Sequence, residues 1–191
     1  MVTADSNVNF CEASILSTNS IIKDLGGIMY RIKRQENIED NYKLMVYMVK
    51  RVLEDEKDII ACLSNISAVI NGYMSGINWV GFYLTKGSEL VLGPFQGLPA
   101  CVRISFGKGV CGTAALTKKT QVVDDVEKFP GHIACDSASK SEVVIPIIVN
   151  GEVFGVLDVD APVLNRFGEL EVRHLAEIVS FISSHIELGE N

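Results

Sequence analysis

Apolar positions recur at helical spacing in three parts of the chain. The first stripe runs from Tyr42 to Leu53, the second from Ile59 to Tyr73 and the third from Val172 to Ile186. Residues three and four apart share one face of a helix, so each stripe predicts an amphipathic helix with one side against a core. The charged run from Glu54 to Asp58 predicts a break between the first two helices.

A run of β-branched and aromatic residues, Ile77 to Leu84, predicts a strand. A glycine turn would fold it back on a second strand, Glu89 to Gly93, as a hairpin. Alternation puts Trp79, Gly81 and Tyr83 on one face of the first strand. Gly81, between two rings, leaves a gap in which a flat ligand could lie.

A second hairpin is predicted at the Asn-Gly dipeptide of positions 150–151, because Asn-Gly between two apolar runs is the strongest short-range hairpin signal. Regular pairing across this turn would put Glu142 on the opposite face from Asp158 and Asp160. For the three carboxylates to converge, the ladder must stop early or bulge, and Pro146 is the predicted place.

The segment between the hairpins holds shorter elements. They are a strand at Val102–Phe106, a glycine-rich turn at Gly107–Gly112, a helix at Val110–Leu116, a strand at Gln121–Val123 and a loop at Phe129–Lys140. The glycines match a G-x-G-x-x-G pattern, but the helix after them is too short for a dinucleotide-binding crossover. We expect instead a strand-to-helix turn that exposes Cys111 near a helix N-terminus, where the dipole would lower its pKa.

The order of these elements predicts an α+β fold in which an antiparallel sheet is flanked by helices. Residues 1–40, rich in Ser, Asn and Thr, are predicted to be a loosely ordered N-terminal extension or docking arm. Residues 41–191 then form one domain, which is long enough to bury a single core.

Composition narrows the choice of partners. The chain has 17 basic and 24 acidic residues and a formal charge of −7, which argues against a nucleic-acid ligand. It lacks the apolar run of about 20 residues that a membrane span needs, and its N-terminus does not resemble a secretion signal. We therefore expect a soluble, unsecreted, cytoplasmic protein.

The five cysteines are an odd number for a disulfide framework, and three of them cluster as Cys101, Cys111 and Cys135. Together with His132 they offer three thiolates and an imidazole, but the tight C-x-x-C spacing of zinc sites is missing, so no metal is predicted. Thiol redox chemistry needs two cysteines on adaptable loops, and Cys101 and Cys135 both follow proline-containing loop sequence. No cofactor is required for such chemistry.

The remaining reactive side chains lie on predicted helices. Cys62 is inside the second apolar stripe, and His174 and His185 are in the third helix. We interpret Cys62 as a buried thiol and both histidines as surface or packing residues.

Five segments then form a recognisable set. They are NWVGFYL (78–84), LGPFQGLPAC (92–101), GKGVCGTAA (107–115), FPGHIACDSASKSE (129–142) and GVLDVDAP (155–162). With these motifs in this order, the chain from about Tyr42 to Ile186 resembles the free methionine-(R)-sulfoxide reductases, a family built on the GAF fold. Residues 1–40 have no counterpart in the short members of that family.

The resemblance implies an enzyme that reduces the R epimer of free methionine sulfoxide, rejects the residue inside a protein and is recycled by thioredoxin. By motif, Cys135 matches the attacking cysteine, Cys101 the main resolving cysteine and Cys111 an auxiliary thiol. Trp79 would wall the pocket around the substrate methyl group. The residues that would hold the substrate or assist proton delivery are Tyr83, Glu142, Asp158 and Asp160.

The chemistry of the residues is compatible with those roles. A sulfoxide oxygen leaves only after protonation, so an acid is needed near Cys135, and a carboxyl crowded by like charges has the raised pKa of such an acid. Glu142 or Asp160 is the expected donor. The other carboxylates would meet the substrate's ammonium group, which a peptide lacks at that position.

Two other functions remain open on the sequence alone. One is a non-enzymatic GAF module that senses a small molecule, and the other is a thiol redox switch that acts through a partner protein. The oligomeric state is also open, and a homodimer is one of the states allowed.

Overall fold

The computed structural model describes residues 21–24, 27–30, 32–131 and 137–189. The helices of this part of the chain are α1 (Ile38–Asp55), α2 (Ile59–Tyr73), α3 (Gly109–Thr117) and α4 (Glu169–Gly189). Its strands are β1 (Ile21–Asp24), β2 (Gly27–Tyr30), β3 (Trp79–Lys86), β4 (Glu89–Gln96), β5 (Arg103–Ser105), β6 (Gln121–Val123), β7 (Ser141–Val149) and β8 (Glu152–Ala161).

Side-chain caps fix where the first two helices begin. The Asn37 side chain accepts a hydrogen bond from the backbone N–H of Asp40 at 3.1 Å. Asp58 accepts one from the N–H of Ala61 at 2.9 Å. Each cap satisfies a backbone donor that has no partner inside its helix. The predicted break between the helices is confirmed, and α1 begins a few residues earlier than its apolar stripe indicated.

Six strands form one antiparallel sheet in the order β5-β4-β3-β8-β7-β6. Both predicted hairpins are present, and the α+β fold with an antiparallel sheet flanked by helices is confirmed. The first hairpin is longer than predicted, because β4 continues through Pro94 to Gln96. The register between β3 and β4 shifts between Gly81 and Tyr83, so Pro94 lies at an irregularity that tolerates its missing N–H.

The two faces of the sheet are covered differently. Helices α1, α2 and α4 bury one face, where Val80 and Phe82 of β3 contribute to the main core. Each fully buried Leu, Ile or Phe side chain in such a core contributes roughly 1.5–3 kcal/mol. The other face carries Trp79 and Tyr83 and packs against α3 in a smaller cluster. The predicted alternation along β3 is confirmed, and the candidate residues lie on the face that α3 covers.

The turn between β7 and β8 has the geometry that its sequence predicts. Asn150 and Gly151 both have positive φ, 50° and 82°, which a two-residue hairpin of this type requires. Val149 pairs with Glu152 across it, and Ile148 with Val153.

Two short strands lie within the predicted N-terminal extension. Strands β1 and β2 pair antiparallel, and the role of the segment as a loosely ordered extension or docking arm stays a prediction. The chain then crosses the end of α2, since Arg34 Nε donates a hydrogen bond to the Gly72 carbonyl at 2.7 Å. Within the described residues, the helices are too short or too polar to cross a membrane.

Candidate active site

Three carboxylates converge at the centre of the sheet. Glu142 of β7 lies directly opposite Asp160 of β8, and Val144 lies opposite Asp158. On the other side of β8, Trp79 pairs with Asp160 and Gly81 with Asp158. Paired residues share a face of the sheet, so these carboxylates and Trp79 belong to one site.

A β-bulge makes this convergence possible. Ile148 pairs with Val153, but Ile147 pairs with Gly155, so Phe154 is an extra residue on β8. The shift of one position brings Glu142 to the face of Asp158 and Asp160. The prediction of a bulge is confirmed, but its place is Phe154 and not Pro146. Pro146 stays in the ladder opposite Val156.

Cys111 reaches this site from α3. Its Sγ donates to Asp158 Oδ2 at 3.2 Å and lies 3.9 Å from Glu142 Oε1. Helix α3 can pack closely against β5 because Gly112 has no side chain. A Cβ on it would lie 2.4 Å from the backbone oxygen of Ser105.

The predictions that Cys111 is exposed and that its pKa is lowered are wrong. The side chain is 4% exposed. Burial raises the pKa of the Cys111 thiol well above its ordinary value, and the charges of Asp158 and Glu142 raise it further. These effects exceed that of the helix dipole, so Cys111 is a neutral hydrogen-bond donor in this arrangement.

Burial raises the pKa of both carboxyl groups. Burial raises the pKa of Glu142 well above its ordinary value, and the charges of Asp158 and Asp160 and a hydrogen bond to Asp158 add to this effect. Burial raises the pKa of Asp158 only to about 6, because hydrogen bonds from Cys111 and Glu142 favour its ionised form. The raised pKa of Glu142 favours its protonated form beside Asp158, which is the pattern of a general acid.

Asp158 is not fully satisfied by these contacts. Its Oδ1 is buried and has no hydrogen-bond partner in the described part of the chain. A buried polar oxygen without a donor is costly, so a bound ligand that supplies a positive charge or an N–H would stabilise this site.

Stacked aromatic rings border the carboxylates. The Trp79 ring lies between Tyr83 at 6.0 Å and Phe95 at 5.4 Å, measured between ring centroids. The predicted gap at Gly81 is filled, because an added Cβ would meet the Trp79 ring at 2.5 Å and Phe95 at 2.4 Å. Sequence reasoning missed Phe95, since the prediction ended its strand before Pro94.

The same rings hold the loop that carries Cys101. Trp79 Nε1 donates to the Leu98 carbonyl at 3.1 Å, and the Tyr83 hydroxyl donates to the Cys101 carbonyl at 2.9 Å. Burial, followed by the charge of Asp158, raises the pKa of Tyr83 beyond its usual range, so the hydroxyl stays protonated as a donor. Tyr83 thus positions the backbone of Cys101.

Cys135 and His132 lie outside the described residues, and so does Cys11. The chain is described again from Ser137. The Asn78 side chain donates to Ser139 Oγ at 3.0 Å, and the N–H of Lys140 donates to the Ala161 carbonyl at 2.8 Å. The C-terminal end of the loop therefore lies next to Trp79 and the end of β8.

The other reactive side chains have the structural environments predicted for them. His174 is buried, with its Nδ1 2.8 Å from the Leu170 carbonyl oxygen and its ring 5.7 Å from that of Tyr42. Cys62 is a free, fully buried thiol, and its Sγ lies 3.9 Å from His185 Nε2. Burial raises the pKa of Cys62 and lowers that of His185, so both are neutral packing groups.

A family model described as the GAF domain matches residues 61–187, a span that includes β3, α3, β7 and β8. The free methionine-R-sulfoxide reductase of Escherichia coli (strain K12) is 46% identical over 129 residues, which cover 68% of this chain and 78% of that protein.

Two solved structures are also similar. The fRMsr of Staphylococcus aureus, in complex with substrate, has 52% sequence identity and a TM-score of 0.73 over 76% of this chain and 95% of its own. The free methionine-R-sulfoxide reductase from Neisseria meningitidis, in complex with its substrate, has 39% identity and a TM-score of 0.81. That match covers 85% of this chain and 98% of the Neisseria chain.

Proposed function

The chain belongs to the GAF-domain family and, within it, to the free methionine-(R)-sulfoxide reductases, and from this premise we propose that it reduces free methionine-(R)-sulfoxide to methionine. The observation that carries the proposal is the buried cluster of Cys111, Glu142 and Asp158, in which burial raises the pKa of Glu142 and favours its protonated form. The catalytic domain in this proposal is residues 41–191, with residues 1–40 as an extension.

Glu142 is the proton donor of the proposed reaction. A sulfoxide oxygen is a poor leaving group until it is protonated, and a buried neutral carboxyl group can donate at neutral pH. The sequence left Glu142 and Asp160 as alternatives. The hydrogen bond between Glu142 and Asp158 favours Glu142, because it raises the pKa of this carboxyl group.

The thiolate of Cys135 attacks the substrate sulfur and forms an S–S bond, while Glu142 protonates the sulfoxide oxygen. The protonated oxygen then passes from the substrate sulfur to the Cys135 sulfur as the substrate S–O bond and the new S–S bond break, which releases methionine and leaves Cys135 as a sulfenic acid. The thiol of Cys101 then attacks that sulfur, which releases water and forms a disulfide. A dithiol of thioredoxin reduces the disulfide and becomes oxidised itself, which restores both cysteines.

Two features of the structure support a disulfide between Cys135 and Cys101. The Tyr83 hydroxyl, whose pKa is raised by burial and by the charge of Asp158, donates to the Cys101 carbonyl at 2.9 Å. Ser139 is hydrogen-bonded to Asn78, and the four residues from Cys135 to Ser139 span at most about 14 Å. Chain length thus allows Cys135 to reach the pocket. Cys111 acts in this proposal as an auxiliary thiol that hydrogen-bonds Asp158.

Substrate selection follows from charge. The ionised Asp158, with Asp160 nearby on the same strand, would pair with the substrate's ammonium group, and Trp79 would contact its methyl group. A methionine sulfoxide inside a peptide has an amide in place of the ammonium, so it would leave buried carboxylates unpaired. The thioredoxin step requires a reducing compartment, and we place the enzyme in the cytoplasm.

A thioredoxin-coupled assay tests this function. The expected result is turnover of the free R epimer, with little turnover of the free S epimer or of N-acetylated methionine-(R)-sulfoxide. Cys135→Ser should abolish turnover, whereas Cys101→Ser should allow one reduction and then stop. Binding of a cyclic nucleotide without sulfoxide loss would contradict the proposal and favour a sensor. Disulfide formation with peroxide but without sulfoxide loss would favour a thiol switch.

A further inference from the structure

We propose that Cys111, Glu142 and Asp158 form a binding site for one thiophilic divalent cation of the class of Zn²⁺ or Cd²⁺. The three residues come from α3, β7 and β8, so no spacing along the sequence could show the ligand set. This ligand set shares only Cys111 with the combination of three cysteines and His132, which lacks the spacing of a zinc site.

The distances between the ligand atoms fit such a cation. The Cys111 sulfur, one Glu142 oxygen and one Asp158 oxygen all lie within 4.8 Å of one another. Two ligands on a tetrahedral zinc, with zinc–sulfur near 2.3 Å and zinc–oxygen near 2.1 Å, are separated by roughly 3.6 Å. The observed sulfur–oxygen distances of 3.2 Å to Asp158 and 3.9 Å to Glu142 bracket that value.

The surroundings of these atoms favour a positive charge. Cys111, Glu142 and Asp158 are each more than nine-tenths buried. Asp158 Oδ1 is buried and lacks a hydrogen-bond partner within the described residues, so one oxygen at the site lacks a donor. A divalent cation would neutralise two buried carboxylates at once, and the thiolate sulfur selects a soft or borderline metal over Mg²⁺ or Ca²⁺.

The ligands are also held by regular secondary structure. Gly112 packs α3 against β5, and the Gly107 N–H donates to the Gly112 carbonyl at 2.7 Å, which fixes the turn before Cys111. Glu142 and Asp158 are in the ladder between β7 and β8. Ligands on a rigid scaffold lose little entropy on binding, and three protein ligands leave a fourth position for water.

The cation would occupy the pocket that the proposed function assigns to the sulfoxide. If that function is correct, a bound cation and the substrate exclude each other, and the metal inhibits competitively. This consequence rests on the proposed function, but the binding site itself does not.

The test is a cadmium titration of the reduced full-length chain, followed by calorimetry and by the ultraviolet thiolate-to-cadmium absorption. We expect one tight equivalent, which Cys111→Ser and Asp158→Asn each weaken by about tenfold or more. The matched controls are Cys101→Ser and Cys135→Ser, which should keep it. If Cys111→Ser proves unfolded by circular dichroism, Glu142→Gln provides the same test without removing the thiol.

The outcomes separate the two proposals. An unchanged tight equivalent in Cys111→Ser, or its loss in either control, would overturn the cation site, because the loop thiols would then hold the metal. A tight equivalent that needs Cys111 but is unaffected by free methionine-(R)-sulfoxide would support the cation site and contradict the proposed substrate pocket.

Discussion

Replacing Asp158 by Asn should stabilise the protein, and the gain should depend on pH. Burial raises the pKa of Asp158 from 3.8 to about 6, so the folded state disfavours its ionised form. A shift of about two units corresponds to about 3 kcal/mol, at 1.36 kcal/mol for each unit. In the wild type, the neutral Asp158 side chain makes its full contribution to the free energy of unfolding below the unfolded pKa of 3.8. This contribution is lost as the pH rises through about 6.

Asparagine cannot ionise, so the free energy of unfolding of the variant does not fall through ionisation at this position. Denaturant unfolding should give Asp158→Asn a free energy of unfolding above that of the wild type at about pH 8, by up to about 3 kcal/mol. The difference should shrink as the pH falls towards about 3, below the unfolded pKa of 3.8, where Asp158 is mostly neutral in both states. The variant should also lose activity, as expected where function keeps a destabilising group.

Asp125→Asn is the matched control. Its hydrogen bond with Lys128 lowers the pKa of this partly buried carboxyl group, so its contribution is present at neutral pH and is lost in acid. This substitution should not stabilise the protein at high pH. If Asp158→Asn is less stable than the wild type by the same amount at both pH values, the ionised carboxylate does not destabilise the folded state. That result would contradict the raised pKa of Asp158.

Three other substitutions test separate parts of the account. Glu142→Gln should slow methionine formation in a single turnover by about 10²- to 10⁴-fold without lowering the melting temperature, and an unchanged rate would place the acid elsewhere. Tyr83→Phe should cost about 1 kcal/mol on thermal unfolding and slow disulfide formation at Cys101 more than sulfoxide reduction, and equal slowing of both would refute its positioning role. Gly112→Ala should destabilise the fold by about 1 to 3 kcal/mol because its Cβ would lie 2.4 Å from a β5 oxygen. Gly189→Ala, where an added Cβ meets no described atom within 4 Å, is its control, and equal stabilities of the two variants would contradict the close packing of α3.

The helices and hairpins could be predicted because their signals are local. The apolar stripe after Ile59 predicts α2, and Asn150-Gly151 predicts a turn whose residues have the required positive φ. The face of β3 that carries Trp79 and Tyr83 followed from alternation alone. The helical period of 3.6 residues and the strand period of 2 residues depend only on neighbouring residues, so they can be read without knowledge of the fold.

The bulge in the second hairpin was predicted in kind but not in place. Convergence of Glu142 with Asp158 required a shift of one residue, and proline was the obvious irregularity. At Pro146, however, β7 has a ladder partner only in β8, because β6 pairs no further than Val144. The missing N–H of proline is tolerated there, and the extra residue is Phe154.

The environment of Cys111 could not be predicted, because it depends on contacts between distant elements. Its position near the start of α3 indicated an exposed thiol with a lowered pKa. The packing of that helix onto β7 and β8 buries it against Glu142 and Asp158 and reverses the direction of the shift. The role of Cys135 stays a prediction, since this residue lies outside the described part of the chain.

The central claim is that thiols of this chain remove the oxygen of free methionine-(R)-sulfoxide. The most direct measurement mixes the reduced protein with each resolved epimer, without thioredoxin or any other reductant, and counts the methionine released per chain. The account predicts one methionine per chain from the R epimer, almost none from the S epimer, and none from the R epimer with Cys135→Ser. Equal release from both epimers, or undiminished release by Cys135→Ser, would contradict it.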